Sequence, residues 1–200
     1  MKYVYITFLW TAYCTLHSYL ISIGFTTLLT RWLKKYYAFY RIFYVLFSTV
    51  LLIPLINYTA QLNTEIIIVD GFAFYIMRIV IIVGSLSMFF WTFFFDYDPL
   101  SFFGIRQMLN LRKTRETHPP ELKRNGLLGI IRHPMYFALI IFLWCQTYRV
   151  VDIVVNSVLT AYVIVGTILE ERKLVLEFGD VYQKYQREVP MLIPFMKPGR

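Results

Sequence analysis

The sequence predicts an all-α, polytopic membrane protein with about five transmembrane helices, on three observations. Apolar residues make up 58% of the 200 residues, above the roughly 45–50% that is usual in soluble domains. Aromatic residues, 19% of the chain, cluster at the ends of apolar runs, where amphipathic rings sit at lipid headgroup level. Basic residues give a net charge of +8 and fall between the apolar runs. This pattern indicates topology signals and a contact with the bilayer, not a nucleic-acid-binding domain.

Five apolar runs are candidates for spans, because the hydrocarbon core is about 30 Å thick and a helix rises about 1.5 Å per residue. The predicted spans are Val4–Leu28, Phe39–Ile56, Phe72–Phe95, Met135–Tyr148 and Val151–Leu169. The fourth is short and needs the preceding residues or local thinning of the bilayer. Only two residues separate the last two spans, which predicts a tight antiparallel helical hairpin.

The distribution of Lys and Arg predicts the orientation. These residues concentrate in the first loop, the third loop and the tail, and short basic loops stay in the cytosol. We therefore expect the N-terminus outside and the C-terminus in the cytosol, in a bacterial inner membrane. Residues 1–200 are predicted to form one membrane domain: three N-terminal spans (1–95), a cytosolic loop (96–134), the hairpin (135–169) and a cytosolic tail (170–200) that closes over a ligand.

Arg132-His133-Pro134 stands at the predicted start of the fourth span. Pro134 fits the first turn of a helix, where its missing N–H costs nothing, so His133 falls at the cap position. Free backbone N–H groups and basic side chains at such a start favour an anionic group, such as a ligand carboxylate or phosphate. A basic membrane flank with an ordinary capping residue explains the same pattern equally well.

Glu170 and Glu171 stand at the end of the fifth span. Adjacent residues on a helix project about 100° apart, so one carboxylate can face a ligand while the other pairs with a base. Carboxylates so near lipid tend to mark function, although a merely solvated helix end is the alternative. The hairpin returns this end to the start of the fourth span, so His133 and the two glutamates are predicted neighbours. Together they suit a zwitterionic ligand that carries hydroxyls.

The remaining polar features have two interpretations each. Asp180 begins a capping-box pattern, which predicts a short amphipathic helix that either closes over a ligand or anchors the tail at the interface. Arg78 is predicted to snorkel toward Asp70 or water. His17 fits an interhelical hydrogen bond as well as a substrate contact. Neither cysteine belongs to a CxxC or Cys/His cluster, so no metal site is predicted.

Several motifs follow one another in the C-terminal third. They are Arg132-His133-Pro134-x-Tyr136, the hairpin, Glu170-Glu171-x-x-Leu174, Phe178-Gly179-x-x-Tyr182-x-x-Tyr185 and Val189-Pro190. In this order they resemble the isoprenylcysteine carboxyl methyltransferase superfamily of integral membrane methyltransferases, which includes phospholipid methyltransferases. Further short motifs resemble the branch of NnrU-type proteins and bacterial methanethiol S-methyltransferases: Leu16-His17-Ser18, Tyr40-Arg41-x-x-Tyr44 and Phe103-Gly104-Ile105-Arg106-Gln107.

The resemblance implies S-adenosylmethionine as the cofactor, bound at the cytosolic face. The cofactor contacts that it implies are Gly126, Arg132, His133, Pro134, Tyr136, Glu170, Glu171 and Tyr185. Arg132, His133 and Arg172 are the candidates for catalysis through positioning and charge, and His17 and Trp144 are the candidate substrate contacts. The chain has no strand followed by GxGxxG, so the soluble dinucleotide-type route to this cofactor is not expected.

A sulfonium methyl is already activated, so the protein mainly has to align the reactants and exclude water. A thiol acceptor gains from a base or a nearby cation. The predicted function is methyl transfer to a small lipophilic thiol that enters from the bilayer. The alternatives are an isoprenylcysteine carboxyl or lipid methyltransferase, an NADPH-dependent membrane reductase of related fold, and a non-catalytic membrane accessory protein.

Overall fold

The structure is a computed structural model that describes residues 1–62, 64–67, 71–97, 99–109, 122, 124–146 and 149–196. The chain divides into two compact units. The first comprises Met1–Glu65 and Asp98–His118, and the second comprises Ile66–Tyr97 and Pro119–Arg200. The arrangement of the whole chain as a single membrane domain stays a prediction.

The first unit is built from helices α1 (Lys2–Ile21), α2 (Ile23–Leu33), α3 (Tyr40–Gln61), α5 (Pro99–Phe102) and α6 (Ile105–Leu109). α1 packs on α3 through Trp10, whose indole N–H donates to the Thr59 hydroxyl at 3.0 Å. A continuous first span over Val4–Leu28 is wrong, because the backbone is extended at Ser22. The Ser22 hydroxyl accepts the N–H of Phe25 and caps α2, which gives the chain a reason to break there.

Two of the short motifs meet within the first unit. The Arg41 guanidinium donates to the carbonyl of Phe102 at 2.8 Å. Gly104 has a φ of +81°, and a Cβ added to it would lie 2.7 Å from the Arg41 Cβ. Both its backbone conformation and its close approach to α3 therefore require glycine.

The second unit is built from α4 (Phe72–Trp91), α7 (Pro134–Cys145), α8 (Val150–Phe178) and α9 (Asp180–Glu188). α4 continues as a π-helical turn over Thr92–Asp96, and a 3-10 helix, Gly126–Gly129, precedes α7. α7 packs against both α4 and α8. The Asn156 amide donates to the carbonyl of Leu143 at 2.8 Å, which joins the two arms of the predicted hairpin.

Three stretches of the described chain are long and apolar enough to cross a membrane: Ile23–Gln61, Phe72–Asp96 and Val150–Phe178. They contain the second, third and fifth predicted spans and confirm the all-α, polytopic class. The fourth predicted span is a helix of only 12 residues, Pro134–Cys145, about 18 Å long and short of the hydrocarbon thickness. α1 has 20 residues but is not among the three, since Tyr, Thr and His side chains interrupt its apolar character.

Candidate functional site

The candidate site lies in the second unit, where the start of α7 meets the residues that follow α9. Pro134 occupies the first helical position and His133 the cap position, as the spacing predicts. The N–H of Arg132 donates to the carbonyl of Pro190 at 2.9 Å, and that of His133 donates to the carbonyl of Met191 at 3.1 Å. The tail therefore uses these two N–H groups. Binding of an anion at the start of α7 stays a prediction.

Glu171 is the centre of a buried hydrogen-bond network. The Arg132 guanidinium binds its carboxylate in a bidentate manner, at 2.8 and 2.7 Å, the strongest geometry for such a pair. His133 Nε2 and the Tyr182 hydroxyl each approach Glu171 Oε1 to 2.7 Å, and the Gln186 amide donates to Oε2 at 2.5 Å. Glu171 thus joins residues of α7, α8 and α9, and its oxygens are used within the protein.

Besides its hydrogen bonds to Glu171, Arg132 also binds the tail. Its Nη1 donates to the carbonyl of Gln186 at 3.0 Å and to the carbonyl of Val189. The side chain is buried. Arg132 thus links Glu171 to the tail, and its predicted roles as a cofactor contact and catalytic group stay predictions.

Glu170 points to a different environment from Glu171. Its side chain is 33% exposed, and its Oε2 lies 3.9 Å from Nδ1 of His133. Among the described residues, these two buried atoms have no hydrogen-bond partner. The Tyr136 ring stacks on the His133 ring, with 5.6 Å between the ring centroids. Glu170 thus has one carboxylate oxygen without a hydrogen-bond partner among the described residues.

The tautomer of His133 follows from its partners. An ionised carboxylate only accepts hydrogen bonds, so the proton between His133 Nε2 and Glu171 belongs to the imidazole. His133 is only 2% exposed. With Nε2 occupied, Nδ1 is the ring nitrogen directed toward Glu170.

Tyr185, another predicted cofactor contact, lies in the layer beneath the site. Its hydroxyl donates to the carbonyl of Leu128 at 2.5 Å, and the Arg124 guanidinium lies 5.2 Å from its ring centroid. Burial raises the pKa of Tyr185 to about 12. Burial and the hydrogen bond to Glu171 also raise the pKa of Tyr182. Both hydroxyls thus remain donors at neutral pH.

The start of α9 differs from the predicted capping box. Gly179, with a φ of +57°, is the cap residue, no side chain caps the helix, and Asp180 is its first residue. The reason is that Gly179 ends α8 in the left-handed region and starts α9 directly afterwards. The short helix itself is confirmed.

Arg172 lies on another face of α8. It is exposed and borders an open groove of about 500 Å³. The groove is lined by Ile168, Glu171, Arg172, Val175, Leu176, Gln186 and Met191. Two residues along a helix correspond to a rotation of about 200°, so Arg172 projects away from the side that carries Glu170.

Gly126, a predicted cofactor contact, begins the 3-10 helix that precedes α7 and has a φ of +63°. A Cβ added to Gly126 would lie 4.0 Å from Oδ1 of Asp96. Sequence reasoning missed Asp96 and its neighbour Tyr97, which follow the apolar part of α4. Burial, together with the charges of Glu170 and Asp96, raises the pKa of Tyr97. The signal that was available is an acidic residue at the end of a predicted span.

The two predicted substrate contacts have partners within their own units. In the first unit, the Tyr44 hydroxyl lies 2.8 Å from His17 Nδ1, which is the interhelical hydrogen bond that was the alternative. In the second, Trp144 Nε1 donates to the Thr160 hydroxyl at 3.0 Å. Their role toward a substrate stays a prediction.

Two further expectations concern isolated side chains. Arg78 is buried, at 8% exposure, so its predicted snorkelling to water is wrong, and Asp70 lies outside the described residues. Within the described ranges, Cys14 and Cys145 are free thiols, and no group of three or more His, Cys, Asp or Glu side chains is placed to hold a metal ion.

In the second unit, the Arg132-His133-Pro134 helix start is thus bonded to Glu171 of the long apolar helix α8. Comparison with known proteins makes the resemblance carried by the chain's motifs more specific. The chain is 31% identical over 183 residues to methanethiol S-methyltransferase 1 of Bradyrhizobium diazoefficiens, covering 90% of this chain and 63% of that protein. It is 31% identical over 167 residues to methanethiol S-methyltransferase 2 of the same organism, covering 82% and 64%.

A similar match is found outside that organism. The methanethiol S-methyltransferase of Crocosphaera subtropica is 36% identical over 106 residues, covering 52% of this chain and 41% of that protein. These similarities confirm the resemblance carried by the motifs. The chain spans less than two thirds of the length of these curated relatives. No protein-family model matches the chain, and no solved structure matches it.

Proposed function

We propose that this protein transfers the methyl group of S-adenosylmethionine to a small thiol, at the cytosolic face of a membrane. The observation that carries the proposal is the Glu171 network, which holds the Arg132-His133-Pro134 helix start beside Glu170. The names of the relatives, all methanethiol S-methyltransferases, support a thiol as the acceptor.

The site fits the methyl donor at its buried polar atoms. Glu170 Oε2 is buried and has no hydrogen-bond partner among the described residues. S-adenosylmethionine carries an ammonium group and ribose hydroxyls, which can donate hydrogen bonds to this oxygen. Gly126, Pro134 and Tyr136 are the proposed further contacts. Arg132, Glu171 and Tyr185 hold this surface from beneath. When bound, the donor supplies a methyl group already activated by the sulfonium charge.

His133 is the proposed base for the acceptor. Its Nε2–H is held by Glu171, so the imidazole is oriented and Nδ1 is the nitrogen left to accept a proton. A free thiol has a pKa near 8.5 and is mostly protonated at neutral pH, so removal of its proton produces the reactive thiolate. Arg172 lies on another face of α8, and a role for it in catalysis requires the acceptor to approach through the open groove.

Calorimetry on the purified protein in detergent tests the cofactor, with S-adenosylmethionine and NADPH titrated separately. We expect saturable binding of S-adenosylmethionine and none of NADPH. Incubation with methyl-labelled donor then tests the acceptor, and label should appear in the volatile thioether when methanethiol is offered. Binding of NADPH alone would identify a reductase, and label in an isoprenylated cysteine ester or in lipid would refute the thiol.

A further inference from the structure

Asp96 and Tyr97 are placed by a local irregularity at the end of α4. The helix widens into a π-helical turn over Thr92–Asp96, and the N–H of Tyr97 donates to the carbonyl of Thr92 at 3.0 Å. Thr92 is fully buried, and its hydroxyl donates to the carbonyl of Met88 at 2.9 Å. A π turn re-aims the side chains that follow it, and such turns are frequent at functional sites.

The re-aimed residues border the candidate site within the same unit. Asp96 Oδ1 lies 4.0 Å from the position of a Cβ added to Gly126. Burial, with the charges of Glu170 and Asp96, raises the pKa of Tyr97. The π turn that carries Asp96 packs against α7, and His133, the cap residue of α7, lies beside Glu170 of α8.

The carboxylates in this neighbourhood are groups of the kind that contact a positively charged ligand group. Arg132 offsets the charge of Glu171 through the bidentate pair. Glu170 and Asp96 bring two further carboxylates. Independently, Nδ1 of the buried His133 has no hydrogen-bond partner among the described residues and lies 3.9 Å from Glu170 Oε2. A buried polar atom without a described partner is a position where a ligand group can complete the site.

Resting on the proposed function, we propose that Asp96 is a further contact of the methyl donor and binds one of its positively charged groups, with Tyr97 beside it. The donor carries two such groups, the ammonium and the sulfonium. In the transfer, the thiol gives its proton to Nδ1 of His133, the proposed base, and its sulfur forms a bond to the methyl carbon. The bond from that carbon to the sulfonium breaks, and the electron pair returns to the donor sulfur. S-adenosylhomocysteine therefore keeps the ammonium but not the sulfonium charge.

Asp96→Asn tests the proposal, because it removes the charge and keeps the shape of the side chain. We expect the affinity for S-adenosylmethionine, measured by calorimetry, to fall about tenfold, the usual scale for one lost charged contact. An equal loss for S-adenosylhomocysteine assigns Asp96 to the ammonium, and a loss confined to S-adenosylmethionine assigns it to the sulfonium. Unchanged affinity for both ligands overturns the proposal.

Glu177→Gln is the matched control, because it removes one carboxylate from an exposed position on α8. It should leave both affinities unchanged, and the melting temperature of each variant reports its folding. If Asp96→Asn does not fold, Tyr97→Phe, which removes one hydroxyl, is the second test. Affinity for S-adenosylmethionine equal to that of the wild type then overturns the proposal, and weaker binding supports it. A wild-type protein that binds no S-adenosylmethionine defeats the proposed function itself, whereas wild-type binding with an unaffected Asp96→Asn variant defeats only this inference.

Discussion

Glu170 and Glu171 are adjacent in the sequence but have different environments. Glu171 is buried and accepts hydrogen bonds from Arg132, Tyr182 and Gln186 and from His133. Glu170 is partly exposed, with one oxygen lacking a partner among the described residues. The 100° step between neighbouring residues of a helix directs one side chain inward and the other toward the ligand side. The same motif thus supplies one residue that supports the site, Glu171, and one that is proposed to contact the ligand, Glu170.

Two matched variants test this difference at the residue scale. Glu171→Gln should lower the free energy of unfolding by about 3–5 kcal/mol, because it leaves the Arg132 guanidinium buried without its counter-charge. Glu170→Gln should keep the stability of the wild type and weaken S-adenosylmethionine binding by at least about tenfold. Thermal unfolding in detergent and calorimetry measure the two effects. The assignment is wrong if Glu170→Gln destabilises the protein as much as Glu171→Gln does.

At the scale of elements, α9 and the residues after it are held in place by hydrogen bonds and an ion pair from Arg132 and Arg124. Arg132 holds the carbonyls of Gln186 and Val189, and Arg124 donates to the carbonyl of Val181 at 2.5 Å and pairs with Glu188 at 3.5 Å. Gly179 sets the direction of this segment with a backbone conformation that residues with a Cβ rarely adopt. The orientation of α9 therefore depends on one glycine as well as on these contacts.

Gly179→Ala should destabilise the protein by about 1–3 kcal/mol, since alanine is strained at this φ. Hydrogen exchange should become faster in α9 than in α7, because the strain acts on the junction with α8. Gly166→Ala is the control: Gly166 lies within α8 with no atom within 4 Å of an added Cβ, so alanine should be neutral or stabilising there. Equal effects of the two substitutions would contradict the role given to Gly179.

At the scale of the whole molecule, the predicted orientation places the end of α8 in the cytosol, where the proposed methyl donor is found. A single cysteine at the exposed position of Glu177 tests this, in a background that carries Cys14→Ser and Cys145→Ser. A membrane-impermeant maleimide should label it only after the cells are opened. A cysteine at Lys2 is the control and should be labelled in intact cells. Labelling of the Glu177→Cys variant in intact cells would reverse the orientation.

The sequence by itself determined the all-α class and most of the long apolar helices, but not the break at Ser22 between α1 and α2. Apolar length predicts the stretches that became α3, α4 and α8, because burial in lipid depends on composition over about 20 residues. Pro134 and Gly179 mark helix ends through their own backbone constraints, which need no partner. The very short connection predicts the α7–α8 hairpin, and hence that His133 and the two glutamates are neighbours.

Only the tertiary structure decided how these residues share their bonds. Which glutamate is buried depends on the rotation of α8 against α7, and the N–H groups of Arg132 and His133 are used by carbonyls almost 60 residues away. Asp96 ends a π turn, and the sequence marks it only as an acidic residue after an apolar run, because the turn itself leaves the hydrophobic periodicity nearly unchanged. Hydropathy and backbone constraints are local properties of the chain. The partner of each buried polar group, by contrast, depends on segments that meet only in the folded protein.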